Sequence, residues 1–298
     1  MINENWAWNR GAHLVLAIFS ILCIVPFLIL LSSSISNVNS IIREGYSLIP
    51  RDLDFSAYEY IWSQSSSFAH AFGISALITV VGTIASLTVT SFLAYPLSRK
   101  NLPGRKLFTF FVIFTLLFNG GLVPTYIVYT QLLHIKDTIF ALIVPNLLMN
   151  GFFVLLMRTF LMISIPEDII EAARLDGAGE FKIFTSMIVP LSLPIFATIG
   201  LFHAIAYWND WFNALIYVSD PELLGLQPVL NQMLNNINFL SVLSKSGMST
   251  TTPGMVVNIP STTVRMAVAF IGVLPVLIAY PFFQRLFVKG IKVGGVRG

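Results

Sequence analysis

ISALITVVGTIASLTVTSFLAYPL, residues 74–97, carries no charged side chain, and its only polar side chains are Ser, Thr and Tyr. Its apolar residues fall on every side of a helix rather than on one stripe. That pattern belongs to a helix surrounded by apolar material, either a core or lipid. A helix needs about 20 such residues to cross roughly 30 Å of hydrocarbon. A barrel strand needs about 10, alternating in polarity, and this run does not alternate. Backbone polar groups in lipid must be satisfied within the segment, which leaves the helix.

Working outward, further stretches of this kind run over Leu14–Leu31, Leu107–Val128, Ile139–Leu156, Met187–Val218 and Met266–Phe287. The chain has 298 residues, of which 56% are apolar and only 10% charged, with a mean hydropathy of +0.80. Soluble domains carry about 25% charged residues, so an ordinary soluble enzyme, a disordered chain and a coiled coil are all excluded. The expected fold class is an all-α integral membrane protein with six transmembrane helices, forming a single transmembrane domain over residues 1–298. The fifth stretch is longer than one crossing needs, and Pro190 and Pro194 are expected to kink it. With Cys23 as its single cysteine the chain forms no internal disulfide.

Basic residues set the orientation. Arg10, Arg99, Lys100, Arg105, Lys106, Arg158, Arg174, Lys182, Arg285, Lys289, Lys292 and Arg297 fall on one set of loops; Arg43, Arg51, Lys136, Lys245 and Arg265 fall on the other. The richer side faces the cytoplasm, which puts both termini there. The net charge of +3 follows from the same rule and does not point to nucleic acid. The first stretch follows Arg10 as a signal peptide would, but it is long and no small-residue cleavage pattern follows at once, so it reads as an uncleaved first helix. Residues 35–73 and 219–262 are expected outside and 157–186 inside. Residues 98–106 and 129–138 read as simple turns.

The inner loop reads SIPEDIIEAARLDGAGEFKIFTSMIVP from Ser164 to Pro190. Ser164 and Glu167 have capping-box spacing, and Pro166 suits a first helical turn. Glu167 and Asp168 suit the positive end of a helix dipole. Ile169, Ile170, Ala172, Ala173 and Leu175 then give a short helix an apolar face. Gly177 stands where a helix ends with positive φ, and Gly179 permits a second turn before the chain re-enters the apolar phase. The apolar face has two candidate partners: the chain's own helix ends, or another protein.

Glu171-Ala172-Ala173, three residues, Gly177, nine residues and Met187-Ile188-Val189-Pro190 resemble the EAA motif of ABC importer permeases, with Met and Val for its Ile and Leu. Gly120–Tyr126, Arg158-Thr159-Phe160, Trp208–Phe212 and the tail Phe287–Gly298 extend the likeness over most of the chain. They are similar to carbohydrate-uptake permeases of the MalG-like, YtcP/LplC type. The resemblance implies a type I importer fold, with 164–190 as a coupling loop. Glu171, Ala172, Ala173, Asp176 and Gly177 would then meet an ATPase subunit, Glu171 by pairing with a base and the alanines by permitting close approach. It also implies that the cytoplasmic tail 288–298, through Lys289, Gly290, Lys292, Gly294 and Gly295, touches the ATPase as a flexible basic strand. The bland reading of that tail is a frayed end obeying the positive-inside rule.

Polar residues within spans are costly and therefore informative. Trp208, Asn209, Asp210 and Asn213 suit sugar hydroxyls and sugar faces, but also an ordinary interfacial belt. Asn119, Pro124 and Tyr126 pose the same choice where Gly120, Gly121 and Pro124 would bend or open the third helix. The external loop carries Asn231, Gln232, Asn235, Asn236, Asn238 and Ser249–Gly254, read either as a docking region for a binding protein, by resemblance, or as a solvated loop. His13, His70, His134 and His203 are not at metal spacing, and no phosphate loop ending in Lys-Ser/Thr is present. The chain is therefore expected to bind no cofactor and to be no enzyme, with ATP and Mg on a partner. The implied assembly, in a bacterial cytoplasmic membrane, is this chain, a homologous but different permease, two ATPases and an extracytoplasmic sugar-binding protein. The same architecture carrying a peptide, glycerophosphodiester or polyol is the alternative. A secondary transporter working alone would need buried charges in several spans, where Asp210 is the clear one.

Overall fold

The computed structural model describes residues 6–50, 52–63, 65–245 and 261–294. Its helices are α1 (Trp6–Ser34), α2 (Val38–Glu44), α3 (Ser56–Ser63), α4 (Ser65–Ser98), α5 (Arg105–Leu117), α6 (Leu122–Ile127), α7 (Phe140–Ile143), α8 (Gly151–Ser164), α9 (Glu167–Leu175), α10 (Glu180–Ile183), α11 (Val189–Leu191), α12 (Leu193–Trp208), α13 (Phe212–Tyr217), α14 (Leu226–Lys245) and α15 (Ser261–Gly294). Val128–Leu132 and Phe184–Ile188 wind as π-helix. The chain divides into two compact units, Met1–Phe68 with Leu230–Pro275 and Ala69–Val229 with Val276–Gly298.

Trp8–Ser34 and Ser66–Ser98 are each long and apolar enough to cross a membrane. Two bent pairs reach that length jointly: Arg105–Leu117 with Leu122–Leu132, at 114°, and Glu180–Leu191 with Leu193–Trp208, at 82°. The third stretch is thus not one rod. Gly121, at φ 84°, begins α6 after the break, and the Asn119 side chain accepts from its N–H at 2.8 Å. The glycines make this bend; Pro124 sits beyond it, inside α6. In the fifth stretch the bend falls at Ser192, between the prolines, and the helix stops at Trp208 before restarting as α13.

The fourth stretch departs furthest from a continuous helix over Ile139–Leu156. It breaks between α7 and α8, because Pro145 supplies no N–H, Asn146 takes φ 61°, and the Asn150 side chain caps α8 by accepting from Phe152 N–H at 2.9 Å. Residues 129–138 are not a simple turn either. His134 and Asp137 have positive φ, and the Asp137 carboxylate accepts from the N–H groups of Ser219 and Asp220.

Residues 219–245 are more ordered than a solvated loop. Leu226 N–H donates to Ser75 Oγ at 2.7 Å, His70 Nε2 lies 2.7 Å from the Glu222 carbonyl, and α14 carries Asn231, Gln232, Asn235, Asn236 and Asn238. Ser249–Gly254 lie outside the described residues. The tail is helical through Gly294, where a flexible strand was expected. Gly290 and Gly294 each cost about 1 kcal/mol in a helix, too little to stop a helix already nucleated and propagating. Gly295 lies outside the described residues.

In the first unit α1 is apolar all round and its side chains from Trp8 to Leu28 are mostly exposed. The chain then folds back: Asn37 N–H donates to the Asp52 carbonyl at 2.9 Å and Asp54 N–H to the Ile35 carbonyl at 3.0 Å. In the second unit the main core joins the ends of α4 and α5 to α8, α9, α10 and α12, through Tyr95, Leu97, Val112, Met157, Leu161, Ile170, Ile183 and Ile195.

Candidate functional site

The short helix α9 sits on that core. Ile170 and Ala173, three residues apart and so on one face, are 1% and 3% exposed. Glu171, Ala172 and Asp176 point outward, and Leu175 is 89% exposed. The two alanines of the motif are thus divided. Ala172 is free to meet another surface, while Ala173 holds the helix to its own chain. Their spacing of one turns them about 100° apart, which puts them on different faces of α9.

The expected capping box is absent. Ser164 is the last residue of α8, Pro166 is the residue before α9, and no side chain caps α9 at its start. Ile165, buried between the two helices, fixes the turn, and Glu167 faces Lys100 Nζ at 3.3 Å instead. The C-terminus is as the glycine implies. Gly177 takes φ 79°, Gly177 N–H donates to the Arg174 carbonyl at 3.0 Å, and Ala178 N–H to the Ala173 carbonyl at 2.9 Å. These are the paired bonds of a Schellman motif, and Ala178 packs against the core beside Ala173.

A polar bridge locks this end to the next helices. The Tyr95 hydroxyl, near the end of α4, donates to Glu180 Oε2 at 2.8 Å, and Arg174 Nε donates to Glu180 Oε1 at 2.7 Å. That bond to Glu180 raises the Arg174 guanidinium above its ordinary value. Arg99 lies over the Tyr95 ring, 4.9 Å from its centre, and burial lowers its guanidinium. One carboxylate therefore couples α9, α10 and α4, so a push on α9 reaches the end of a long apolar helix through short contacts.

The polar residues of the spans separate into two groups. Asp210 Oδ1 accepts from Phe212 and Asn213 N–H, each at 3.1 Å, and so caps the restart of the chain at α13. Asn213 is buried and donates to the Pro145 carbonyl at 3.0 Å. Trp208 is buried edge-on against Phe72, with ring centres 5.6 Å apart. These three build the fold. Asn119, Pro124 and Asn209 are exposed, and Tyr126 is half-buried, stacked on Tyr217 with centres 5.8 Å apart.

Sequence reasoning missed a buried joint. The Tyr207 hydroxyl donates to the Ile143 carbonyl at 2.9 Å and lies 2.8 Å from Ser86 Oγ, which reaches the Leu147 carbonyl at 3.2 Å. With Asn213 on Pro145, side chains from α4, α12 and α13 satisfy the carbonyls that the broken fourth stretch leaves open. The tolerance of broken backbone inside apolar surroundings requires this. The available signal was Gly82: a Cβ there would stand 2.6 Å from the Tyr207 ring.

Known proteins match this architecture. Residues 86–293 match the family described as "Binding-protein-dependent transport system inner membrane component". The chain is 35% identical over 297 residues to the polygalacturonan/rhamnogalacturonan transport system permease protein YtcP of Bacillus subtilis (strain 168), covering 99% of this chain and 100% of the relative. It is 36% identical over 275 residues to Protein LplC of the same organism, covering 92% and 90%. A chain in the crystal structure of a bacterial ABC transporter involved in the import of the acidic polysaccharide alginate superposes with a TM-score of 0.77 at 29% identity, covering 96% of this chain and 99% of that one. An apolar helical chain with a Schellman-closed helix at Glu171–Gly177, matched over most of its length, belongs to the family of inner-membrane components of binding-protein-dependent transport systems.

Proposed function

We propose that this chain is one of two permease subunits of an ATP-driven importer in a bacterial cytoplasmic membrane, and that its cargo is an oligosaccharide. The permease partner is a homologous, different chain. Two ATPase subunits, carrying ATP and Mg, sit on the cytoplasmic side, and a sugar-binding protein delivers cargo outside. This subunit catalyses nothing itself. The chain crosses six times, by α1, α4, α5 with α6, the α7–α8 stretch, α10–α12 and α15, with both termini cytoplasmic.

The observation that carries the reading is the two-faced α9. Its inner face is spent on its own core, through Ile170 and Ala173, so the exposed Leu175, Ala172, Glu171 and Asp176 serve a partner. A rigid helix closed at its end by Gly177 transmits rigid-body motion. The Glu180 bridge to Tyr95 carries that motion to α4. The helical backbone at Lys289–Gly294 supplies a second contact to the ATPase. Asn119, Pro124, Tyr126 and Asn209 line the path, and α14 with the residues after it docks the binding protein. The saccharide cargo rests on the named systems of the relatives.

The test is purification of the native assembly, identification of its subunits, and ATPase assay after reconstitution. ATPase activity stimulated by the binding protein loaded with an oligosaccharide is expected. An assembly without an ATPase, or one stimulated only by non-saccharide solutes, overturns the reading.

A further inference from the structure

A groove of about 740 Å³ opens where α4 ends, α5 begins and α8 passes. Lys100, Arg105, Lys106 and Arg158 line it, with no acidic residue among the lining. Lys100 is met by Glu167 at 3.3 Å, which leaves Arg105, Lys106 and Arg158 without a carboxylate in the groove. Its volume is that of a small-molecule site. Arg105 Nε and Arg158 Nε each donate to the same acceptor, the Leu97 carbonyl, at 3.0 Å. Like charges gathered on one carbonyl repel each other, and the carbonyl carries only a partial charge to offset them. An anion bound beside them removes that repulsion. Each guanidinium has five N–H donors in a fixed fork, so donors remain beyond the Nε bond, in the geometry that suits a phosphate. The first turn of α5 opens on the same groove without a side-chain cap, adding the positive end of a helix dipole.

The other wall is apolar. Phe110 and Ile113, three residues apart on α5, line it and are exposed. Phe114 and Leu117, one turn further along the same face of α5, are exposed as well. A free phosphate would use the cations and ignore this wall. An occupant matching both is anionic at one end and a hydrocarbon at the other.

We propose that the groove binds an anionic phospholipid, its phosphate on Arg105, Lys106 and Arg158 and an acyl chain along Phe110 and Ile113. Bound there, the lipid ties the start of α5 to α8, the helix that leads through Ile165 into α9. Lipid occupancy therefore stiffens the base on which α9 sits. The inference rests on the membrane reading of the chain but not on its cargo or its ATPase contacts, so its test is lipid retention and not transport.

The purified full assembly, delipidated in neutral detergent, is exposed to phosphatidylglycerol or phosphatidylcholine and the retained lipid is counted by native mass spectrometry. Wild type is expected to retain phosphatidylglycerol in clear excess. Each cation at an anionic surface contributes about fivefold, so Lys106→Gln is expected to lower phosphatidylglycerol retention about fivefold. Lys106→Arg restores it, and neither change alters phosphatidylcholine retention. Millimolar inorganic phosphate leaves the lipid in place. Lys106 is exposed, so both variants are expected to elute and melt as wild type. Equal retention of the two lipids, retention unchanged in Lys106→Gln, or displacement of the lipid by phosphate alone overturns the proposal.

Discussion

Replacing Gly177 tests whether the end of α9 must be held in one backbone conformation for coupling. The residue has φ 79°, and a Cβ added there meets nothing within 4 Å. Any effect of a larger side chain in this chain is therefore conformational and not a clash. An L-residue pays about 1–2 kcal/mol in this region, while Asn, whose side chain bonds locally, visits it with little penalty. At 1.4 kcal/mol per factor of ten, Gly177→Val disfavours the closed end of α9 by about 5- to 30-fold. The bonds from Gly177 N–H and Ala178 N–H are lost with it. The assay is solute-stimulated ATPase and uptake in proteoliposomes, normalised to inserted protein. Gly177→Val is expected to insert normally and lose coupled uptake by about 5- to 30-fold, with Gly177→Asn within about threefold of wild type. Full coupling in Gly177→Val refutes the reasoning. So does equal loss in both variants, since that makes the requirement one of space against a partner rather than of φ.

Three further outcomes follow from the same contacts. Tyr207→Phe leaves the Ile143 carbonyl without its donor, at a cost of about 1–3 kcal/mol; a thermal midpoint in detergent equal to wild type would count against the buried joint. Gly82→Ala drives a methyl to within 2.6 Å of the Tyr207 ring, and overpacking of this kind costs about 1–3 kcal/mol. Combining it with Tyr207→Leu is expected to recover part of the loss, and strict additivity in melting experiments would deny the contact. Leu175→Asp, on the exposed side of α9, is expected to spare stability and weaken co-purification of the ATPase, whereas Ile170→Asp, buried in the core, destabilises the subunit itself; the reverse pattern would mean that α9 presents its other face.

Much of the architecture was legible because it depends on local periodicity. Residues 74–97 lie within one unbroken helix, α4, as their apolar run requires, and Gly177 ends α9 for the stereochemical reason that marked it. What stayed hidden depends on partners distant in sequence. Ser164 has the spacing of a cap, yet α8 extends through it because Val154, Met157 and Leu161 are buried along one side of that helix and carry it to its natural end. The break at residues 144–150 is not announced by a polar run; it is made tolerable by Ser86, Tyr207 and Asn213, lying 61 to 68 residues away from the carbonyls they meet.

That dependence changes how polar residues in the apolar stretches are to be weighed. A charged or amide side chain in such surroundings needs a reason, and cargo is only one. Asp210 and Asn213 have another: they take up N–H and C=O groups that two helix breaks release. Continuous helices would have left both side chains unpartnered and hence available to a solute. Broken helices engage Asp210 Oδ1 and the Asn213 amide nitrogen instead. Asn209 folds its amide back on the Ile205 carbonyl at 2.9 Å, and Asn119 accepts from Gly121 N–H. Both remain exposed, with further donors and acceptors unspent. Among Asn119, Asn209, Asp210 and Asn213, those left exposed at helix breaks are therefore few: Asn119 beside Gly121 and Asn209 at the end of α12.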